Sequence, residues 1–508
     1  MSGLLLFACF PLVNWTVLVW VACLPLLVAL VNEKRWVTSF WLGYLAGAVF
    51  LSGSCYWFVG VMQGYGHLNL VLAFGVLVLF VIVFSTFYGV FGLVETAVAG
   101  RSIGAALVLS PFLWVASELA RTYLITGFPW NLLGYAVRPV GLEQMASVTA
   151  VYGLSFLAVA TSALGAWLLL EPRRKACRVA LFVWVVVLFA ANWLLQPPPA
   201  QPEPDVAVLV QPDIPLGEAA MDTWVPWTNP APLQSLVEDS VEAVRESGAT
   251  PSRPPLLVWP ESSAPFLYGR DPVFRGALQS MAKQADAYVI SGTVTFAGQG
   301  NSRPQNAAVL LSPAGDLLLH YVKIHLVPFG EYVPWWAFPG KVGKITAEVG
   351  DFMPGKSVKI ARTPEGVIGI FICYEAIFPQ LVRKFAAQGA GVLVNISDDG
   401  WYGDTAAPFQ HFEMARFRAI ENGRFVLRGT NNGITAVIDP YGRVRKEIPR
   451  NQRGILTGHF SYLSKKTFYT EYGDVFAWFC VGVAALMVLV IMIAPGYRRG
   501  EVQKNIEE

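Results

Sequence analysis

The sequence predicts two kinds of structure in one chain, a polytopic α-helical membrane domain of about eight spans and a water-exposed α/β domain placed before the last span. Three observations carry that reading. Of the 508 residues, 54% are apolar and only 14% are charged, a balance that a single soluble domain of this size does not normally show. The apolar residues gather in long runs over 4–194 and again over 475–494, with a polar, mixed stretch near 196–472 between them. Within that stretch, short apolar runs bounded by turn signals alternate with segments of helical spacing.

The runs long enough to cross hydrocarbon are 4–31, 40–61, 70–94, 103–120, 145–170, 178–195 and 475–494. Pro11 and Asn14 leave the first of these either one long helix or a hairpin of two short ones, so the count is seven or eight. Met1-Ser2-Gly3 leads straight into Leu4 without the charged region of a cleavable signal, and the first segment is expected to stay as an anchor. Basic residues fall at every second connection: Lys34 and Arg35, Arg101, Arg173 to Arg178, and Arg498, Arg499 and Lys504. Lys and Arg concentrate in cytoplasmic loops, so those connections read as inside and the polar stretch as exported, with Arg121 and Arg138 as exceptions. An inside N-terminus then favours eight spans. The expected domains are transmembrane helices over 1–195, a Pro-rich linker over 196–205, an exported α/β domain over 206–472, a C-terminal transmembrane helix over 473–495 and a cytoplasmic tail over 496–508.

Strands are expected at Val206–Val210, Leu256–Trp259, Tyr288–Ser291, Ala307–Leu311, Val367–Ile372, Gly391–Asn395 and Phe425–Leu427, with a hairpin through Pro313–Asp316. Helices are expected at Leu233–Glu246, Pro272–Ala285, Pro379–Gln388 and Gln410–Asn422. Elements in that order make an α/β or layered α+β domain.

Composition also excludes. Net charge is only +2, and no basic run is interleaved with aromatics, so nucleic acid is not a partner. His67, His320, His325, His411 and His459 show no ligand spacing with one another or with a cysteine, which argues against a metal, and no cofactor is expected. Few ionisable groups lie inside the spans, which argues against a transport pathway. Glu118 and Arg121 near a span end are a candidate electrostatic pair.

Five of the six cysteines lie in or beside apolar runs, where a thiol behaves as a small apolar group; Cys373 alone belongs to the polar stretch. Three strand ends there carry reactive groups: Glu261 after Leu257-Val-Trp-Pro, Lys323 after Leu317-Leu-Leu-His-Tyr-Val, and Cys373 after Ile370-Phe-Ile. Any one of them alone would more often be packing or a solvated charge. Together they have complementary roles, because a thiol attacks only as thiolate and needs a base and a nearby cation.

Trp259-Pro260-Glu261, Lys323 followed by Ile-His-Leu-Val-Pro-Phe-Gly-Glu331-Tyr-Val-Pro, and Cys373-Tyr374-Glu375 resemble the Glu-Lys-Cys motifs of the nitrilase (carbon-nitrogen hydrolase) superfamily. With membrane spans on both sides, the chain is similar to the superfamily's membrane branch, the apolipoprotein N-acyltransferases. The likeness extends to Thr126-Gly-Phe-Pro-Trp130, Ser397-Asp-Asp-Gly-Trp-Tyr-Gly403, Gln410-His-Phe-Glu-Met-Ala-Arg416 and Thr430-Asn-Asn-Gly433. It implies an α-β-β-α sandwich joined to the helices, at the outer face of a bacterial inner membrane with the catalytic domain in the periplasm. It implies Glu261 as general base, Lys323 as oxyanion stabiliser and Cys373 as the nucleophile that takes an acyl chain from a phospholipid as a thioester. The acceptor it implies is the N-terminal amine of a diacylated apolipoprotein, and Glu331, Tyr374 and Glu375 would support the triad. Trp335, Trp336 and Phe338, followed by Lys341 and Lys344, suit a lipid-access lid at the membrane interface, with Trp224 and Trp227 a second candidate. The nearest rival is a membrane-tethered amidase, in which the same three residues deliver the acyl group to water.

Overall fold

The structure, a computed structural model, describes residues 1–64, 66, 68–199, 202–214, 231–261, 267–297, 303–332 and 352–493. Six helices among them are long and apolar enough to cross a membrane: Trp36–Ser54, Leu70–Ala99, Ile103–Tyr123, Ala146–Leu170, Lys175–Leu194 and Val475–Ile493. These take up every expected span except the first. Residues 4–31 form neither one helix nor a simple hairpin; the chain there is a short helix Ser2–Ala8, a 3-10 turn Thr16–Trp20 and a helix Leu24–Asn32. Pro11 cannot continue the first helix, and Asn14 sits in the left-handed region at φ 57°.

The connection after Tyr123 is also unlike a solvated loop. Phe128, Trp130, Leu132, Leu133, Tyr135 and Val137 are buried in it although it is mostly non-helical. Irregular backbone survives at such a place only when its polar groups find partners inside the protein. Here the Leu133 N–H donates to Glu118 Oε1 at 2.8 Å and the Gly134 N–H to Ser155 Oγ at 2.8 Å. Glu118 therefore serves this loop, also accepting from Trp114 Nε1 at 3.1 Å, while Arg121 donates to Tyr88 Oη at 3.0 Å.

The chain divides into two compact units, Met1–Val59, Asn69–Pro198 and Tyr472–Glu508 in one, and Gly60–Leu68 with Pro199–Glu471 in the other. The second holds twelve strands among the described residues: β1 Asp205–Gln211, β2 Leu256–Val258, β3 Tyr288–Ala297, β4 Arg303–Leu311, β5 Leu317–Val322, β6 Ile360–Arg362, β7 Val367–Ile372, β8 Val392–Ser397, β9 Phe425–Thr430, β10 Thr435–Ile438, β11 Val444–Ile448 and β12 Gly454–Phe460. They form two six-stranded sheets, in the orders β12-β1-β2-β3-β4-β5 and β11-β10-β9-β8-β7-β6. Both are parallel at their centres, β1-β2-β3 in one and β7-β8-β9 in the other. Strands so placed are buried on both faces and read as continuous apolar runs, which is why these were legible.

On one face of the first sheet, Val206, Val208, Val210, Leu257, Val289 and Val309 pack against Leu233, Leu236, Val241 and Val244 of the helix Ala231–Glu246 and Phe274, Leu278 and Met281 of the helix Pro272–Ala285. The other face meets the second sheet closely enough that a Cβ on Gly458 would lie 2.6 Å from Val437 Cγ2. Helices Pro379–Ala387 and Ala407–Asn422 pack against the second sheet, completing an α-β-β-α sandwich. The expected hairpin is present: the Ser312 N–H donates to the Asp316 carbonyl at 2.8 Å, and Gly315 takes φ 82°.

Candidate active site

Parallel strands deliver their carboxyl ends to one edge of a sheet, and β2 and β7 do so here from facing sheets. Past β2 the chain keeps sheet-like pairing, with Trp259 N–H on the Ile290 carbonyl and the Gly292 N–H on the Pro260 carbonyl, which sets Glu261 at the edge. Lys323 follows β5, its N–H on the Asn306 carbonyl at 2.8 Å. Cys373 follows β7 at the first position of a tight 3-10 turn, Cys373–Ile377, with φ 48°. A non-glycine residue there carries strain that the surroundings must hold.

The three side chains are buried, Glu261 7% exposed, Lys323 1% and Cys373 5%. Lys323 Nζ lies 3.3 Å from Glu261 Oε1 and 3.0 Å from Glu331 Oε1. Asn306 Nδ2 donates to the same two oxygens, at 2.7 Å and 2.6 Å. The other carboxylate oxygens are held by backbone, Glu261 Oε2 by the Asp398 N–H at 3.0 Å and Glu331 Oε2 by the Val327 N–H at 2.7 Å. Burial alone would drive the proton off Lys323, but the two carboxylates outweigh it and hold the ammonium above its ordinary range. The Cys373 thiol is pushed well up, first by burial and then by the Glu261 charge, with Lys323 opposing and a Ser397 hydrogen bond favouring the thiolate. At rest the sulfur is therefore a neutral thiol beside a carboxylate that can take its proton and a cation that can hold a developing anion.

Glu375 ties the two strand ends together. One carboxylate oxygen accepts from the Ile324 N–H at 2.7 Å, the His325 N–H at 3.3 Å and Tyr321 Oη at 2.7 Å, all at the end of β5. The other accepts from the Ile372 N–H at 2.7 Å, the last residue of β7. Burial pushes its carboxyl up to about 7 despite these donors. Tyr374 packs edge-on against Phe378, with ring centroids 5.3 Å apart, and lies 6.0 Å from the His325 ring. Trp335, Trp336 and Phe338, with Lys341, Lys344, Trp224 and Trp227, lie outside the described residues.

Sequence reasoning gave no role to Asn306, Ser397, Asp399, His411 or Arg428. Strand pairing could have found Asn306, since Ala307 opposite Val322 sets its neighbour beside Lys323. Ser397, Asp399 and His411 sit in stretches that carry the family likeness without a role of their own, and Arg428 falls just past the expected strand Phe425–Leu427. His411 Nε2 donates to the Cys373 carbonyl at 3.1 Å, and its Nδ1 lies 3.0 Å from Asp399 Oδ1. Asp399 in turn accepts from Ser397 Oγ at 2.9 Å and Arg428 Nη2 at 2.7 Å. Burial would raise the Asp399 carboxyl, yet Arg428 and His411 hold it well below the usual range.

Residues 207–462 match the carbon-nitrogen hydrolase family, and residues 2–164 match the apolipoprotein N-acyltransferase N-terminal domain. The chain is 36% identical over 500 residues to the apolipoprotein N-acyltransferase of Geobacter metallireducens, covering 96% of this chain and 93% of that protein. It is 34% identical over 444 residues to that of Allorhizobium ampelinum, covering 84% and 80%. Among solved structures, an amidase from Nesterenkonia sp. aligns over 54% of this chain and 94% of its own, at 19% identity and a TM-score of 0.38.

Proposed function

Because the chain belongs to the apolipoprotein N-acyltransferase family, and so is a multi-pass bacterial membrane enzyme that N-acylates lipoproteins, we propose that it works in two steps through an acyl thioester on Cys373. Glu261 takes the thiol proton and the thiolate attacks an ester carbonyl of a phospholipid. Lys323 stabilises the tetrahedral oxyanion, and its collapse expels the lysophospholipid alkoxide, which receives the proton from Glu261. The N-terminal amine of a diacylglyceryl cysteine then attacks the thioester. Glu261 removes a proton from that amine, the amide forms, and the departing thiolate is reprotonated. The product is a triacylated lipoprotein.

The observation that carries this reading is the buried meeting of Lys323 with Glu261 and Glu331 beside a cysteine at positive φ. Each charge is costly to bury, and a purely structural site would gain more from apolar packing. Asn306, Glu331 and Glu375 position the reacting groups, as do the aromatic contacts of Tyr374. Trp335, Trp336 and Phe338, which lie outside the described residues, enter the proposal only as the lid that the sequence predicts for the lipid's route to the thiol. Membership of the family supports a bacterial inner-membrane location, and the alternation of basic connections supports placing the catalytic domain in the periplasm.

Intact mass after exposure to phospholipid vesicles tests the first step. One added acyl chain is expected on the native protein and none on Cys373→Ser; an adduct persisting on the serine variant would name another nucleophile. Adding a diacylated lipopeptide should clear the adduct and acylate the peptide. Release of free fatty acid with no acylated peptide would make the enzyme a hydrolase instead.

A further inference from the structure

The backbone of the nucleophile is held from beneath by a chain of buried polar groups that the two-step chemistry leaves unused. His411, on the helix Ala407–Asn422, is fully buried, and its Nε2 faces the Cys373 carbonyl oxygen. A carbonyl oxygen cannot donate, so Nε2 carries a hydrogen and the ring is fixed in that sense. Behind it stand Asp399 at 3.0 Å and Arg428 Nη2 at 3.2 Å from Nδ1, with the Arg428 guanidinium also bonded to Asn395. Ser397 joins the same cluster, its hydroxyl donating to the Asp399 carboxylate at 2.9 Å.

Holding one strained turn does not call for such a cluster, because burying charged groups costs stability that apolar side chains would not. The carbonyl that His411 bonds belongs to the peptide group joining Cys373 to Tyr374. Withdrawing electron density at that oxygen makes the N–H of the same peptide a stronger donor, as in any hydrogen-bonded chain of amides. In acyl transfer, the N–H following the nucleophile is a recurrent donor to the tetrahedral oxyanion.

We infer that His411, backed by Asp399 and Arg428, is a positioning residue that polarises the Cys373–Tyr374 peptide so that it binds the oxyanion of the acylation step. It exchanges no atom with the substrate. The inference rests on Cys373 being the nucleophile, and it separates two properties that would otherwise move together. Alkylation of a thiol needs the sulfur but forms no oxyanion, whereas acylation needs both.

The test compares full-length His411→Gln and His411→Asn in detergent with the native protein. Glutamine sets an amide nitrogen near the place of Nε2, and asparagine reaches only the place of Nδ1. Two rates are read on Cys373, thioester formation from phospholipid and carbamidomethylation by iodoacetamide, each with Cys373→Ser as background. Losing a direct oxyanion donor costs on the order of 10²–10³ in rate, so losing its polarisation should cost His411→Asn about tenfold in acylation. Its alkylation rate and melting temperature should stay near native, and His411→Gln should recover most of the acylation. Unchanged acylation in His411→Asn, parallel changes in the two rates, a large fall in melting temperature, or failure of glutamine to rescue would each overturn the inference. No thioester on the native protein would overturn the nucleophile assignment, and this inference with it.

Discussion

At the scale of single residues, the site works by placing charges where they are expensive, and each can be tested by its sign. The Cys373 thiol is held above its ordinary range by burial and the Glu261 charge. Its alkylation by iodoacetamide should therefore be slow at neutral pH and still climbing at pH 9, where an ordinary cysteine has begun to level off. Lys323 acts in the opposite sense, so Lys323→Met should slow alkylation further, by about tenfold for each unit the thiol rises. A faster reaction in that variant would contradict the arrangement. Asn306 donates to both Glu261 and Glu331, and Asn306→Asp would replace the shared donor with a third carboxylate. Thioester formation is expected to fall by at least about 100-fold, with the melting temperature lowered as well. Glu261, Lys323 and Cys373 were legible because each ends an apolar strand with a reactive group. His411 was not, because within its helix it reads as one more polar residue, and only the fold reveals that it faces a carbonyl from the neighbouring turn.

At the scale of elements, the brace formed by Glu375 and the fit between the sheets carry the predictions. Folding raises the Glu375 carboxyl to about 7, so it favours the protonated form. The stability this contributes is fully present below the ordinary carboxyl range and is lost as pH rises through about 7. The melting temperature of the native protein should accordingly fall between pH 5 and pH 8 relative to Glu375→Gln, by the equivalent of about 2 kcal/mol. Parallel curves for the two proteins would show that Glu375 does not titrate in that window. Gly458 reports on sheet packing: Gly458→Val would drive its side chain into Val437, costing about 1–3 kcal/mol in chemical denaturation. The central strands were readable because burial on both faces leaves uninterrupted apolar runs. β6, β10, β11 and β12 were not. The residues Val444-Arg-Lys-Glu-Ile448 form an edge strand with little buried surface, and the glycines at 454 and 458 break up the apolar pattern of β12. The buried loop after Tyr123 escaped for a related reason, since the bonds from Glu118 and Ser155 that let it be irregular are long-range.

At the scale of the whole molecule, the six apolar helices among the described residues and the alternation of basic connections make the orientation testable. A reporter active only after export should be silent when fused after Arg101 and active when fused after Gln196; the reverse pattern would invert the assignment. The unit that holds the site has a further property in its first and last strands. β1 pairs antiparallel with β12 along its full length, from Asp205 opposite Phe460 to Gln211 opposite Gly454. Those partners are about 250 residues apart, and at synthesis rates of about 5–20 residues per second β1 waits roughly 12 to 50 s for its neighbour. Throughout that interval the first strand offers an open row of amides to any passing strand. Birth order thus makes the strand that starts this unit one of the last to be sealed, and a nascent chain stalled before Gly454 is the species to search for in aggregates and chaperone complexes.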